Sequence, residues 1–190
     1  MGLENILLGL LAEPASGYDL KRAFDTAINY FWYADIAQVY RTLQRMEEKG
    51  LLKSKEVLSD QGPPRKVYRR TAAGRKQLFA WLREAPEFNP ERHTYVAQLA
   101  FMGQLSDLDR TVEFFRQMRD RLTSRLAVLK HIEASEPETD ILRMSEEGLH
   151  GLLSLQMGIR TTEARIKGCD VSIQLVRRRL SHNNSREEKT

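Results

Sequence analysis

Residues 35–70 constrain the fold of this chain more tightly than any other stretch. Asp35 stands where a helix N-cap belongs, and Ile36, Val39, Tyr40, Leu43 and Met46 follow as one apolar helix face. Gly50 stands where the C-terminal cap belongs. Two short runs of strand character come next, residues 51–58 and 66–70. Between them SDQGPPR, residues 59–65, reads as a hairpin loop rich in turn formers. A helix that ends on glycine and passes directly into a basic hairpin fits few architectures.

The flanking residues narrow the choice. Leu3, Ile6, Leu7, Leu10 and Leu11 form one helix face that Pro14 ends. Ser16 and Asp19 are spaced as a capping box for a second helix carrying Leu20, Ala23, Phe24, Ala27 and Ile28. Thr71 can cap a fourth helix reaching Leu82 and Arg83. Three helices, a strand, a wing, a strand and a helix in about 85 residues predict a winged helix-turn-helix. Two prolines in residues 85–90 mark its boundary.

The second half predicts helices only, so the chain is mainly α with a small β-wing. Residues 94–102 are short and apolar, and Ser106 with Asp109 predicts a capping box for the next helix. That helix repeats Leu108, Phe115, Leu122 and Leu129 every seven residues. Ser135, Pro137 and Glu138 predict the start of the last long helix. In it Leu152, Ile159, Ile166, Ile173 and Leu180 recur at spacing seven, a coiled-coil-like seam. Such a seam spans about 43 Å at 1.5 Å per residue and can pack within one subunit or across two. The expected organisation is a DNA-binding domain over 1–85, an all-α dimerisation and effector domain over 91–180, and a flexible tail over 181–190.

Composition excludes other classes. With 190 residues, 41% apolar and 29% charged, the chain is neither membrane-spanning nor disordered. One cysteine permits no intrachain disulfide, and no His or Cys spacing suits a metal or another cofactor. No nucleophile elbow, Walker loop or dinucleotide fingerprint is present, so no enzyme is expected. No leader pattern is seen, and a cytoplasmic location is expected. Charge is uneven: residues 1–85 hold 14 Lys and Arg against 10 Asp and Glu, and the rest hold 16 of each.

The third helix carries the chemistry. Gln38, Arg41, Thr42, Arg45 and Lys49 lie on the side away from its apolar face. Arg can grip guanine O6 and N7 as a fork, and Gln can do the same to adenine N6 and N7. An ordinary solvated helix face has the same pattern. The wing tips the balance, because Arg65 and Lys66 close a Gly-Pro-Pro turn ahead of Tyr68, Arg69 and Arg70. Lysines and arginines there can hold phosphates.

The stretches GYDLKRAF, DIAQVYRTLQRMEEKGLL and QGPPRKVYRRTAAGRKQLFAWL, in this order, resemble the PadR family of bacterial transcription regulators. The resemblance covers residues 3–83. The helical second half is similar in size and heptad character to the longer, AphA-like members. The resemblance implies a homodimer on a pseudo-palindromic operator, usually a repressor, released in several members by an aromatic or phenolic effector. It places Tyr18, Gln38, Tyr40, Thr42, Arg65, Lys66 and Tyr68 near DNA. Arg41 departs from the Pro or small polar residue common there, and Asp35 from Ser or Gly.

The aromatic run Tyr30–Phe31–Trp32–Tyr33 admits two readings, a packing wedge or the wall of an effector pocket. In the second reading Tyr30, Trp32 and Tyr95 face a planar ring, and Arg119 or His150 meets its carboxylate. Cys169 falls on the apolar seam, as a buried inert thiol would. A helical scaffold whose winged helix docks on protein is the competing function, and it requires apolar residues on the outward face of the third helix.

Overall fold

Leucines at helical spacing dictate the first element. In the computed structural model, which describes residues 2–28, 31–59, 62–87, 93–135 and 140–187, helix α1 runs Gly2–Leu10. Leu7 and Leu8 are completely buried and Leu11 nearly so. Burial of each such side chain is worth about 1.5–3 kcal/mol. The chain divides into two units, Met1–Asn89 and Pro90–Thr190.

In the first unit, α1 is followed by strand β1 (Ala15–Ser16), helix α2 (Gly17–Ala23), helix α3 (Ile36–Glu48), strands β2 (Leu52–Ser59) and β3 (Gly62–Arg70), and helix α4 (Ala72–Trp81). The expected capping box is present. Ser16 Oγ accepts from Asp19 N at 3.2 Å, and the Asp19 carboxylate accepts from Ser16 N at 3.2 Å. Asp35 caps α3 by accepting from Gln38 N at 2.7 Å, and Thr71 caps α4 by accepting from Gly74 N at 3.1 Å.

The turn after α3 locks the unit together. Gly50 sits at φ +71°, where a side chain would be strained. Its N–H reaches Glu47 O, and that of Leu51 reaches Met46 O, both at 2.9 Å. This paired pattern satisfies the last helix carbonyls. Leu51 O then accepts from Thr71 N, which ties the turn to α4. A Cβ on Gly74 would come 2.3 Å from that same carbonyl, so α4 approaches closely only with glycine there.

Two local expectations need correction in this unit, and one element is unforeseen. The second helix ends at Ala23 and continues as a π-type turn over Phe24–Ile28, with Phe24 buried. Ala15 and Ser16 form a strand on β3, giving the order β1-β3-β2; two residues are too few for a periodic signal. The Gly-Pro-Pro segment belongs to strand β3 rather than to the loop. There β3 has outrun β1 and pairs only with β2, and proline tolerates an extended strand with one open edge. Asp60 and Gln61 lie outside the described residues.

The second unit comprises helices α5 (Thr94–Phe101), α6 (Leu108–Ala134) and α7 (Glu146–Glu187). Val112 and Phe115 of α6 pack with Cys169 and Ile173 of α7, and Leu99 of α5 joins them. The pairs Arg119–Asp170 and Lys130–Glu163 show that α6 and α7 run antiparallel. Burial pushes the Cys169 thiol upward in pKa, in keeping with an inert side chain. Among the described residues no helix is long and apolar enough to cross a membrane.

Serines in this unit cap other positions than their spacing predicts. Asp107, not Ser106, caps α6 by accepting from Arg110 N at 2.9 Å, while Ser106 sits at φ 51° after a 3-10 turn. Ser135 closes α6 instead of opening α7, its hydroxyl donating to His131 O at 2.8 Å. Ser145 stands before α7 and accepts from Gly148 N at 3.1 Å. Serine serves either end of a helix, so its presence does not give direction. Pro137 and Glu138 lie outside the described residues. Residues 181–187, expected to fray, continue α7. Extending an existing helix needs no new nucleus.

Candidate nucleic-acid interface

Helix α3 is anchored by a stripe at i, i+3, i+4 and i+7. Val39, Leu43 and Met46 are fully buried, and Thr42 is 4% exposed. Thr42 therefore belongs to the core side and not to the outward front. Conversely Ile36 and Tyr40, expected on the apolar face, are 45% and 43% exposed. The stripe centres on Val39 and Leu43, which carries Thr42 inward and turns Tyr40 out.

The outward face holds Gln38, Tyr40, Arg41 and Gln44, all exposed. Gln44 was missed, although it stands three residues after Arg41 on the same face. The Tyr40 ring lies over Gly17, where a Cβ would come 2.3 Å from Cε1. Gly17 thus lets α2 approach α3, with the neighbouring Tyr18 exposed. A groove of about 520 Å³ runs between α3 and the wing, lined by Tyr40, Arg41, Gln44, Glu47, Glu48, Lys66 and Tyr68. Exposed Lys53, Lys55, Arg65 and Arg69 make the wing basic. Tyr68 itself is 4% exposed, and burial pushes its phenol up in pKa. Its ring belongs to the core and forms the floor of this groove.

Three expected contact cations are held by carboxylates. Glu4 Oε1 on α1 accepts from Arg45 Nε at 3.0 Å and from Lys49 Nζ at 2.9 Å. Burial pushes the Glu4 carboxyl up, but the bonds and charges of Lys49 and Arg45 outweigh it and the net shift is downward. Lys66 Nζ donates to Glu47 Oε2 at 2.7 Å and lies 5.3 Å from the Tyr68 ring centroid. That bond holds Lys66 above and Glu47 below its ordinary pKa. Neither acid stands out in the sequence, since Glu4 and Arg45 are 41 residues apart.

Among the described residues the effector candidates do not converge within either unit. Tyr30 lies outside the described residues. Trp32, in the first unit, packs its ring on Gly2. In the second unit, Tyr95 tilts against His93 at 5.2 Å, Arg119 bonds Asp170, and His150 hydrogen-bonds Glu146 O. Asp170 stands about 30 Å along α7 from His150 at 1.5 Å per residue, so Arg119 and His150 cannot line one small pocket of this chain. Of the heptad residues of α7, which the sequence offers either to a dimer seam or to packing within the subunit, Ile159 and Ile173 are buried within the chain, at 4% and 5% exposure, and Leu152, Ile166 and Leu180 are half-buried.

Comparison with known proteins agrees with this geometry. Residues 6–80 match the model of the transcriptional regulator PadR-like family, and residues 91–177 that of the virulence activator alpha C-terminal region. A probable transcriptional regulator of Mycobacterium tuberculosis is 30% identical over 87% of this chain and 92% of its own length. The negative transcriptional regulator PadR of Bacillus subtilis is 27% identical over 70% of this chain and 72% of its own length. Its operator-DNA complex superposes with a TM-score of 0.78 at 20% identity, covering 93% of this chain and 99% of that one. Its complex with p-coumaric acid gives 0.68 at 20% identity over 92% and 94%. The virulence activator AphA of Vibrio cholerae gives 0.73 at 24% identity over 92% and 98%. Matched along both units and by a relative of nearly its own length, this chain belongs to the PadR-like family of transcriptional regulators, in the form that carries a helical virulence-activator region.

Proposed function

We propose that this regulator is a homodimeric repressor that reads a pseudo-palindromic operator with α3 in the major groove and the β2–β3 wing against the backbone. The observation that carries the reading is the outward face of α3. It places Gln38, Tyr40, Arg41 and Gln44 beside a basic wing, while the opposite stripe is buried. The competing protein-docking reading needs an apolar front; here Ile36 and Tyr40 are outnumbered by forked polar side chains. The operator complex of the Bacillus PadR supports the DNA partner, and the negative role of that relative supports repression. Its p-coumaric acid complex supports release by a small phenolic acid.

Dimerisation belongs to the second unit. Leu153, Met157, Val171 and Leu175 are 54%, 68%, 46% and 59% exposed on α7, away from its seam with α6. Exposed apolar rows of this kind mark interaction surfaces. The two-fold then sets half-sites about one helical turn apart, or a multiple. Arg41→Ala tests the reading. It is expected to cost about 1–3 kcal/mol on a selected operator and far less on random duplex. Equal loss on both would reduce Arg41 to a phosphate contact.

A further inference from the structure

One carboxylate joins α3 to both strands of the wing. Glu47 accepts from Lys66 Nζ on β3 at 2.7 Å and from Ser54 Oγ on β2. Ser54 is the cross-strand partner of Tyr68, whose ring packs in the core and lies under the Lys66 ammonium. The bridge therefore connects three elements around a side chain that does not move with the surface. Lys66 and Glu47 are 47% and 30% exposed, so the pair faces the groove between recognition helix and wing. A phosphate there must compete with Glu47 for the ammonium.

We propose that Glu47 is a positioning residue that determines specificity: it fixes the wing against α3 and withholds Lys66 from sequence-independent phosphate binding. The inference rests on the DNA-binding reading above. Non-specific affinity grows with each phosphate neutralised, whereas base contacts on α3 depend on how the helix is presented. Withholding a cation lowers binding to every sequence and leaves discrimination to the Gln38, Arg41 and Gln44 face. Glu4 acts in the same sense on Arg45 and Lys49.

The test uses the full chain, a duplex selected by the wild-type protein from a randomised pool, and a scrambled duplex of equal composition. Glu47→Gln keeps the shape and an acceptor for Ser54 but removes the charge. It is expected to tighten scrambled-duplex binding roughly threefold and steepen its salt dependence by about one unit of slope. The selected-to-scrambled ratio falls, because the freed Lys66 adds the same phosphate contribution on both duplexes while the loosened wing weakens the base contacts of α3 on the selected one only. The double variant Glu47→Gln/Lys66→Met returns the slope to the wild-type value. An unchanged slope and ratio in Glu47→Gln, while wild type still enriches a sequence, would overturn the inference and leave the DNA reading standing. No enrichment by wild type would remove both. A second measurement needs no variant. Reductive methylation of the wild-type protein is expected to leave Lys66 slower than Lys53 and Lys55, with no further slowing on scrambled duplex. Protection of Lys66 that appears only with scrambled duplex would show that phosphate takes it from Glu47, against the inference.

Discussion

The two units solve the burial problem differently. In the first, α1, α2, α3, α4 and the sheet close around one core, with Leu7, Leu8, Val39, Leu43 and Met46 at zero exposure. In the second, two long helices share a narrow seam, and α5 contributes no fully buried residue. Val96, Phe101 and Leu105 remain 49–66% exposed around α5, as do the apolar residues on the outer side of α7. A core closed on all sides makes a unit self-sufficient. A two-helix layer leaves apolar surface that another surface has to cover.

This contrast can be broken most directly by a core truncation. Leu43→Ala is expected to cost about 2–5 kcal/mol in the first unit. Both tryptophans, Trp32 and Trp81, lie in that unit, so tryptophan fluorescence in urea follows it alone while far-ultraviolet circular dichroism follows both. A lowered fluorescence midpoint with the remaining helical signal unmoved would show that the units unfold separately. A charge on the outer row of α7 is next in size. In the dimer proposed above, Leu175→Glu would forgo burial worth about 1.5–3 kcal/mol, so the dimer dissociation constant is expected to rise tenfold or more by sedimentation, with the fluorescence midpoint unchanged. An unaffected dimer would place the interface elsewhere.

The smallest effect is on pH dependence. Glu4 and Glu47 are both held below their ordinary pKa. A depressed carboxylate adds stability that is complete above about pH 4.3 and is lost as pH falls through its lowered folded value. Glu4→Gln is therefore expected to flatten the acid-side decline of the fluorescence-detected Tm, without changing the circular dichroism of the second unit. A decline as steep as wild type would mean that the Glu4 pairs contribute nothing.

Local chemistry made much of the fold legible. Ser16, Asp35, Gly50 and Thr71 act on backbone groups within a few residues, so their roles follow from position alone. The same locality failed where serine could serve either end of a helix, at Ser106 and Ser135. At the site, Gln38 and Arg41 were readable from helical spacing. Tyr40 and Thr42 exchanged roles because adjacent residues differ by only 100° around a helix, and packing chose the stripe.

The sequence by itself determined that a capped helix, a hairpin and a heptad-bearing helical half would form, because caps, turns and periodicity are short-range. Tertiary structure decided which of the exposed basic residues are paired with a carboxylate. Arg45, Lys49 and Lys66 look equivalent to Arg41 in the chain, yet Glu4 and Glu47 reach them only after folding. It also decided that Ile159 and Ile173 are buried within this chain, Ile173 against Val112 and Phe115 of α6, leaving Leu153, Met157, Val171 and Leu175 outward. A heptad repeat specifies that a seam is buried, but not which helix buries it, since knobs from either source fill the same holes.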